Sequence, residues 1–443
     1  GAAATATTAY AVGSVAKSVT ATAVVRLADA GRLSVDDPVA DHLPWFGDAP
    51  GAPITIHDLL THTSGLPAAG MEAFVLGPAL GVDTDRTLDD WAAFRSFTRE
   101  WFPTRGEPGR FAYYNSGYTA LGRVIERVTG ESFADAVAEL VFAPLGVTGA
   151  FDSDEEPSSP PCRPGSDGPE PVSLPDNPLL APVGGLVISP RELARFGAAH
   201  ASGAVPVAPD LLRTAHTAHA DWRRYADGRT TGVGYGWELT PFGDDTLVGH
   251  SGSTGVSAGY VGFLRDRGLS VAVGASGPPD ASPVTLGREI LAALTDREPA
   301  AVDPSLAVER AVEPLTGRYE SPTGVHTADV EWTGDRLTVT LGGFGPVSGE
   351  TFPLVPRSLD PKPVFEHVAD DGEVERAAFE RTDDGVTLRY GWLYLERVGD
   401  EAADGTGERS DHGENSATDD PDTDDPATDE PTVGGPTEPD RGA

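Results

Sequence analysis

The hydrophobic periodicity of this chain changes along its length, and that change constrains the fold more than any other feature. Up to about residue 150, and again near residue 190, apolar residues recur at helical spacing, as in VAKSVTATAVVRLADAGRLS, LDDWAAFRSFTREW and SPRELARFGAAHASG. From about Val233 the pattern alternates, in VGYGWEL, DTLVGH, SAGYVGFL and LSVAVGAS, before a last helical stretch, VTLGREILAALTD. Helices followed by consecutive short strands predict an α+β domain with an antiparallel sheet and a helical subdomain.

Composition divides the chain into four segments. Residues 1–297 carry the mixed pattern, and residues 298–312 are rich in Pro, Ala and Asp, so we expect a linker there. Residues 313–398 consist of short alternating segments such as RLTVTLGG and VTLRYGWLYLERV, which predict a small all-β barrel or sandwich. In residues 399–443 Asp, Pro, Thr and Gly dominate without aromatic residues, so this acidic tail is predicted to be disordered.

The charge balance is strongly acidic. With 69 acidic and 32 basic residues the formal net charge is −37, which disfavours nucleic acid or an anionic membrane as a partner. Lys17 and Lys362 are the two lysines, and the other basic residues are arginines. This composition is typical of a high-salt cytoplasm, where the Debye length falls to about 3 Å at 1 M salt. The sequence has no apolar run long enough to predict a membrane span, and both a cytoplasmic location in a high-salt cell and export stay open.

The first candidate for chemistry is Ser14-Val15-Ala16-Lys17, at the start of the first predicted helix. Residues three apart share a helix face, so the lysine amine can reach the serine hydroxyl. We expect Ser14 at the helix N-cap, where unpaired N–H groups can stabilise an oxyanion. Arginine replaces lysine almost everywhere in this chain, but a guanidinium cannot act as a base, whereas a buried lysine can. The alternative is an ordinary helix-start serine with a surface lysine.

Two further segments carry polar groups close to predicted turns. In FAYYNSGY, Tyr113 and Asn115 stand two apart in a predicted tight turn, which can aim a phenol and an amide into one cleft. In GHSGS, His250 is a donor or partial cation at neutral pH, and Gly252 and Ser253 offer backbone N–H groups on what we expect to be an edge strand. Each segment also has a structural interpretation, as an aromatic loop packed on a helix and as a structural histidine.

Taken together, these segments resemble the serine β-lactamase and penicillin-binding-protein superfamily, in particular its branch of class C β-lactamases, DD-peptidases and esterases. That branch carries S-x-x-K, then Y-x-N about a hundred residues on, then K-x-G or H-x-G on a strand edge. The matching residues here are Ser14 and Lys17, Tyr113 and Asn115, and His250 and Gly252. The stretches RLADAGRLSVDDPVADHLP, ITIHDLLTHTSGLP, GGLVISPRELARFG and GYGWEL extend the resemblance over about residues 10–295. The C-terminal β region resembles the small barrel often appended to this branch.

The resemblance implies a β-lactamase/transpeptidase-like fold and a role for each residue. Ser14 would attack a substrate carbonyl and form an acyl-enzyme, while Lys17 and Tyr113 would remove and return its proton. Asn115 would bind the amide or ester side chain of the substrate. The backbone N–H groups of Ser14 and Ser253 would form the oxyanion hole.

His250 stands where the β-lactamases of the family have a lysine. Histidine is largely neutral near pH 7, so its hold on a substrate carboxylate should be weaker, which favours esters or peptides over penicillins. The sequence therefore predicts a serine hydrolase acting on small esters or on peptide and amide bonds, esterase first and D-peptidase second. A true β-lactamase and a catalytically silent binding or scaffolding module on the same fold stay open. No cofactor or metal is expected, and the oligomeric state is not predicted.

Two other patterns could indicate a different site. Gly255, Ser257 and Gly259 form a G-x-S-x-G, but a nucleophile elbow needs a helix after the serine, and a strand-like segment follows here. His57 and His62 lack the H-E-x-x-H spacing of a zinc protease, and the resemblance makes His62 part of a structural turn behind the site. Neither pattern displaces the serine–lysine pair.

The resemblance also implies a longer stretch before the S-x-x-K motif, forming a first helix and strands of the central sheet. Here thirteen residues precede Ser14, and GAAATATTAYAV provides barely one strand. We therefore expect a sheet edge that lacks its partner, and a 1–443 chain that folds poorly or aggregates. A sharp, cooperative melt in high salt would contradict that expectation.

Overall fold

The computed structural model describes residues 3–399, apart from residues 152–156, 167, 278, 280, 335, 344–347, 360–361, 370–371 and 383–384. From residue 400 onward the expected disordered tail lies outside the described residues. Within the described part of the chain, no helix combines the length and the apolar character needed to cross a membrane.

Helices dominate the first half of the chain and return after the main sheet. In the described residues they are α1 (Ala16–Asp29), α2 (Val39–His42), α3 (Ile56–Leu60), α4 (Met71–Leu80), α5 (Trp91–Glu100), α6 (Asn115–Thr129), α7 (Phe133–Val137), α8 (Ala143–Leu145), α9 (Ala181–Gly184), α10 (Pro190–Ser202), α11 (Pro209–Ala215), α12 (Pro283–Leu294), α13 (Pro299–Val302) and α14 (Pro304–Val312). A π-helical segment, Ala138–Phe142, joins α7 to α8. Helices α6, α7, α9 and α11 pack around α1.

Helix α1 forms the centre of this helical region, because nearly all of its side chains are buried. It is built largely from Ala, Val and Thr, whose small side chains allow neighbouring helices to approach closely. The helix stops before Gly31, which adopts the left-handed φ of +65° typical of a helix terminus. Its start differs from our expectation, since Ser14 lies inside a 3₁₀ turn, Gly13–Val15, rather than at the N-cap. Val15 already has helical backbone angles, so the turn runs directly into the helix.

The strands before the barrel form two short pairs and one main sheet. The short antiparallel pairs are β1 (Tyr10–Ala11) with β4 (Val187–Ile188), and β2 (Cys162–Arg163) with β3 (Glu170–Pro171). In the described residues the main sheet has the antiparallel strands β5 (Ala220–Arg224), β6 (Thr230–Val233), β7 (Glu238–Phe242), β8 (Asp245–Ser253), β9 (Ser257–Leu264) and β10 (Leu269–Ser276), in the order β10-β9-β8-β7-β6-β5. Helices α10 and α12 pack on its opposite faces: Gly197 of α10 abuts Val261, and Gly287 of α12 abuts the adjacent Tyr260.

Strand β8 is an interior strand, which corrects our expectation of an edge strand. It pairs with β9 along its length from Leu247 to Ser253, but its pairing with β7 ends at Gly249 opposite Glu238. Residues 250–253 therefore project past β7 and pair on one side only, so their other side is open to the helical region. The sequence pattern could not show this, because it depends on where a neighbouring strand begins.

The C-terminal strands close into a barrel, one of the two all-β architectures, barrel or sandwich, that the alternating pattern predicted. Its strands, within the described residues, are β11 (Gly317–Glu320), β12 (His326–Trp332), β13 (Leu337–Gly343), β14 (Thr351–Ser358), β15 (Val364–Val368), β16 (Val374–Thr382), β17 (Gly385–Tyr390) and β18 (Leu393–Arg397). Closure comes from the pairing of β18 with β11, where Tyr319 faces Arg397. Alternate residues such as Leu337, Val339 and Leu341 point into an apolar core.

Residues 298–312, expected to be a linker, form helices α13 and α14 instead. Each begins with a proline in its first turn, where the missing N–H group costs no hydrogen bond. Asp303 caps α14 by accepting hydrogen bonds from the backbone N–H groups of Ser305 and Leu306. The same carboxylate is fully buried and lies 3.2 Å from an Arg288 guanidinium nitrogen on α12. The segment is thus packed against the preceding region.

Candidate active site

Ser14 and Lys17 stand together at the start of α1. The Lys17 Nζ atom lies 2.9 Å from Ser14 Oγ and donates a second hydrogen bond, also of 2.9 Å, to the carbonyl oxygen of Val183 on α9. The lysine side chain is fully buried, and this desolvation lowers the pKa of Lys17 from its usual 10.5 to about 7, against a small opposing effect of Glu72. A neutral, proton-accepting amine is therefore accessible near pH 7.

Tyr113 lies directly before α6 and reaches the same serine. Its side chain lines the same cleft as Ser14, and its ring centroid lies 5.0 Å from Lys17 Nζ. Burial raises the pKa of the Tyr113 phenol well above its usual value, so the phenol is protonated at neutral pH. Asn115 is the first residue of α6 rather than part of a free turn, and it lines the cleft beside Ser14.

His62, which we expected only as part of a structural turn, supports Tyr113 directly. It adopts a left-handed backbone conformation with φ +59°, and its Nδ1 accepts a 3.0 Å hydrogen bond from the backbone N–H of Tyr114. Its ring stacks on the Tyr113 ring at 4.5 Å between centroids. Burial lowers the pKa of His62 well below its usual value, so the ring is neutral and presents an uncharged surface to the phenol.

The unpaired end of β8 brings His250, Gly252 and Ser253 to the serine. A Cβ atom on Gly252 would lie 2.5 Å from the backbone nitrogen of Ser14, so only glycine fits between the strand and the 3₁₀ turn. His250 Nδ1 lies 2.6 Å from the Ser251 carbonyl oxygen and must donate to it. Burial and the nearby Lys17 lower the pKa of His250 to about 3. His250 is therefore neutral at pH 7, which corrects the partial cation considered from the sequence.

The cleft at Ser14 extends in two directions, which we call the polar arm and the apolar arm. The polar arm is lined chiefly by Ser14, Tyr113, Trp222, Arg223, Glu238, His250, Ser251, Gly252 and Ser253. The apolar arm runs along α4 and α9 and is lined by Gly13, Ser14, Glu72, Ala73, Leu76, Gly77, Leu80, Val82, Asn115, Leu180, Val183, Gly184, Ser253 and Thr254. With Lys17 behind the serine, the structure thus brings all seven predicted site residues to one cleft.

Several residues that line the cleft were not predicted from the sequence. Glu238 follows the tryptophan in GYGWEL, a stretch that we used only as a supporting match, and Trp222 and Arg223 lie on β5, for which no strand was predicted. Glu72 on α4 is the acidic residue of the apolar arm. A signal existed only for Glu238, since a carboxylate in an otherwise apolar strand pattern requires a specific environment.

The rival patterns do not form sites. Ser257 is 2% exposed, its hydroxyl is hydrogen-bonded to Thr254, and a strand rather than a helix follows it. The G-x-S-x-G therefore does not form a nucleophile elbow. Among the residues that the structure describes, no cluster of His, Cys, Asp or Glu has a geometry that could hold a metal ion.

The chain is similar to known proteins in family, sequence and structure. The family model described as Beta-lactamase matches residues 1–295, and the model described as Pab87 octamerisation domain matches residues 299–395. Penicillin-binding protein 4 of Amycolatopsis lactamdurans is 34% identical over 334 residues, which cover 70% of this chain and 84% of that protein. Esterase EstB of Burkholderia gladioli is 35% identical over 232 residues, covering 48% of this chain and 58% of that protein. A solved octameric penicillin-binding protein homologue from Pyrococcus abyssi matches with a TM-score of 0.75 and 28% identity, over 88% of this chain and 89% of that one.

Proposed function

The chain belongs to the beta-lactamase family, and from that premise we propose that it is a serine hydrolase that acts through an acyl-enzyme on small esters or on peptide and amide bonds. The observation that carries the proposal is the 2.9 Å contact between Lys17 Nζ and Ser14 Oγ at the base of an open cleft. The similarity to proteins named as an esterase and as a penicillin-binding protein supports a carbonyl compound as substrate.

In the first step, neutral Lys17 accepts the hydroxyl proton of Ser14 while Ser14 Oγ bonds to the substrate carbonyl carbon. An ordinary lysine would be protonated at pH 7 and could not accept it, but burial lowers the pKa of Lys17 to about 7. The carbonyl π electrons move onto oxygen. The backbone N–H groups of Ser14 and Ser253 are the proposed donors to this oxyanion.

In the second step, the bond between the carbonyl carbon and the leaving atom breaks, and the leaving atom takes a proton. Tyr113 is the proposed donor, because its side chain lines the polar arm together with Ser14 whereas Lys17 lies behind the serine. The raised pKa of Tyr113 keeps the phenol protonated, and Lys17 supplies the replacement proton. A water molecule then attacks the acyl-enzyme with the same groups in reverse order, which releases the acid and restores Ser14.

Esters are the first proposed substrate class, D-amino acid peptides the second and β-lactams the third. His250 is neutral at pH 7 and its N–H at Nδ1 is donated to the Ser251 carbonyl, so its Nε2 is an acceptor and offers a substrate carboxylate neither a charge nor a hydrogen bond. The apolar arm, with its Leu and Val lining beside Asn115, suits an acyl group that carries a hydrocarbon side chain. Asn115 is the proposed contact for the acyl amide or ester group.

A catalytically silent binding module on the same fold is the second candidate. It is weaker because Lys17 is hydrogen-bonded to Ser14 and Tyr113 lines the same cleft, an arrangement that binding alone does not require. The two candidates differ in one observable: a hydrolase acylates Ser14, whereas a silent module leaves it unmodified.

Intact-protein mass spectrometry after exposure to a fluorophosphonate and to a β-lactam tests the proposal. It uses Ser14→Ala as the negative variant and Ser257→Ala, at the rival serine, as the matched control. Multi-molar salt is the proposed medium, since a net charge of −37 needs screening. A mass increase in the parent and in Ser257→Ala, absent from Ser14→Ala, supports the hydrolase. Folded parent protein that neither probe modifies would favour the silent module.

We also propose that the chain assembles into a higher oligomer through its barrel. The support is the match of residues 299–395 to a model described as an octamerisation domain, and the octameric state named for the Pyrococcus abyssi homologue. Light scattering on the full chain should give a mass several times that of one copy. A monomer at micromolar concentration in high salt would contradict this part of the proposal.

A further inference from the structure

Glu238 is a buried carboxyl group on the wall of the catalytic cleft, and the proposed mechanism does not use it. It is 9% exposed and lines the polar arm together with Ser14. Its side-chain hydrogen bond is a long one, 3.4 Å from Ser251 Oγ to Glu238 Oε1, and the backbone of the same serine also stabilises the carboxylate. Among the described residues, no nitrogen of an Arg, Lys or His side chain lies within ion-pair distance of it. A buried carboxylate with so few partners requires a reason.

The charged and titratable groups that face Glu238 come from several elements. The charges of Arg223 on β5 and Arg288 on α12 lower the pKa of Glu238. In turn, the charge of Glu238 raises the pKa of Tyr113 and of Tyr260. His250 also lines the arm but is neutral. Arg288 forms an ion pair with Asp303. Arg223 is exposed, and its guanidinium carbon lies 3.9 Å from the centroid of the Trp222 ring.

Inside the polar arm, the electrostatic field of the ionised Glu238 carboxylate is stronger than that of the nearby Arg223 guanidinium. An exposed charge is screened by water and by salt, so an exposed ion pair contributes on the order of 1 kcal/mol or less. A charge in a buried wall keeps more of its field, because fewer water molecules can reorient around it. The field in the inner part of the polar arm is therefore that of Glu238 whenever this group is ionised.

The polar arm is the side of the cleft that receives the leaving group. Tyr113, the proposed proton donor to the leaving atom, lines the polar arm and does not line the apolar arm. Asn115, the proposed contact of the acyl group, lines the apolar arm. The acyl part of a substrate thus lies along α4, and the departing alcohol or amine passes Glu238.

We propose that Glu238 is a specificity-determining residue that selects leaving groups carrying a cation, such as an amino alcohol or an amine-bearing residue, and rejects leaving groups carrying a carboxylate. The inference rests on the proposed serine hydrolase activity and assigns its substrate class. It gives a second reason, independent of His250, for weak reaction with carboxylated β-lactams.

Three acetate esters with one acyl group and one aryl core test the proposal. They are phenyl acetate, 4-(trimethylammonio)phenyl acetate and 4-acetoxybenzoate, whose leaving groups are neutral, cationic and anionic. In Glu238→Gln, which keeps the shape and removes the charge, kcat/KM for the cationic ester relative to phenyl acetate should fall about tenfold, and that for the anionic ester should rise about tenfold. Glu72→Gln, the matched change in the apolar arm, should leave both ratios unaltered.

The ratio of cationic to anionic ester also has a predicted pH dependence. Burial raises the pKa of Glu238 to about 7, so the group is neutral below pH 7 and ionised above it. The ratio should therefore rise between pH 6 and pH 8 in the parent and stay flat in Glu238→Gln. Ionisation of Lys17 affects all three esters alike and cancels in the ratio.

The outcomes separate this proposal from the proposed activity. If the parent and Ser14→Ala cleave phenyl acetate equally, the serine hydrolase assignment is wrong. If cleavage depends on Ser14 but Glu238→Gln leaves both ratios unchanged, the specificity assignment is wrong. If Glu238→Gln does not fold, Glu238→Asp decides: a shorter carboxylate should keep the preference for the cation, and loss of that preference in folded protein overturns the proposal.

Discussion

Two buried polar clusters lie against helix α1, and their comparison separates chemistry from packing. The catalytic cluster contains Ser14, Lys17 and Tyr113. The histidine cluster contains Thr22, His200 and His216: Thr22 Oγ1 lies 3.1 Å from His200 Nε2, and His200 Nδ1 lies 3.1 Å from His216 Nε2. Both clusters carry a basic group that burial makes less basic, Lys17 in one and the two histidines in the other.

The clusters differ in access to the cleft. Lys17 reaches the cleft through Ser14 and Tyr113, whereas His200 is enclosed by Phe196, Trp237 and Phe263, with ring centroids at 4.7, 4.9 and 5.9 Å. Desolvation lowers the pKa of the buried basic groups in both clusters. It yields a usable base only where a substrate can arrive, so a perturbed pKa without an opening indicates packing rather than a site.

The largest expected effect is that of Lys17→Met, which removes the proposed base and keeps the side-chain volume. We expect kcat for phenyl acetate to fall about 10⁴-fold, the upper end for general acid–base groups. The thermal midpoint should change little, because losing the hydrogen bonds to Ser14 and to the Val183 carbonyl is offset by removing a buried amine whose desolvation is unfavourable. The matched change in the histidine cluster, Thr22→Val, should leave kcat within about twofold. A Lys17→Met enzyme within tenfold of the parent would contradict the assignment of the base.

Tyr113→Phe should have the next largest effect, about 10²-fold on kcat, because the ring still stacks on His62 while the proton donor is lost. The pH profile distinguishes this role from a structural one. Activity should rise as the pH increases through about 7, where Lys17 loses its proton, in both the parent and the variant. An unchanged kcat in Tyr113→Phe would exclude Tyr113 as the proton donor, whereas loss of the activity rise near pH 7 would assign the base to the tyrosine instead.

The part of the site that the sequence predicted follows from short-range geometry and from the resemblance. Ser14 and Lys17 are three residues apart, so a helix brings them together whatever surrounds it. The contacts that the sequence did not predict join distant segments: the Val183 carbonyl on Lys17, the His62 ring on Tyr113, and Glu238 on the cleft wall. Each depends on how one element packs against another, and local periodicity does not encode that packing.

The fold shows the same division. Alternating residues predicted a small all-β barrel or sandwich, because one face of each strand must enter a core in either architecture. Residues 298–312 were interpreted as a linker from their prolines, yet a proline in the first helical turn with Asp303 as a cap starts a helix. The interior position of β8 depends on β7 pairing with it as far as Gly249, which composition cannot show. Sequence patterns thus predict which helices and strands form more completely than they predict which of these elements lie next to each other.

His216→Gln tests the histidine cluster, where we expect a change in stability rather than activity. Thr22 donates to the Ser18 carbonyl, so Thr22 accepts from His200 and His200 accepts from His216, which leaves both rings neutral. Below pH 6.5 the unfolded histidines take up protons that the folded ones do not, because burial lowers the pKa of His216 to about 3.

For each buried histidine, unfolding therefore becomes easier by about 1.4 kcal/mol per pH unit below pH 6.5. His216→Gln should reduce the free energy of unfolding at pH 7.5 by about 2 kcal/mol, with a shallower loss between pH 6 and pH 4. Denaturant titrations at several pH values measure this, and kcat of the folded variant should stay within about twofold. If the free energy of unfolding of His216→Gln fell with decreasing pH as steeply as that of the parent, His216 would not contribute to the acid sensitivity.

The smallest expected effect is that of His250→Lys, which adds an amine to the wall of the polar arm, where the sequence resemblance places a lysine in β-lactamases. The new ammonium can hold a substrate carboxylate, but the position is buried and close to Lys17, and both effects disfavour a charged amine there, so the gain should be about fivefold. The measure is the rate of acylation by benzylpenicillin relative to that by an uncharged fluorophosphonate, which controls for damage to Ser14. Because Glu238 lies in the same arm and opposes the carboxylate, combining His250→Lys with Glu238→Gln should increase the ratio further. A ratio that does not change in either variant would mean that neither residue meets the carboxylate, and the leaving group would then belong to the apolar arm.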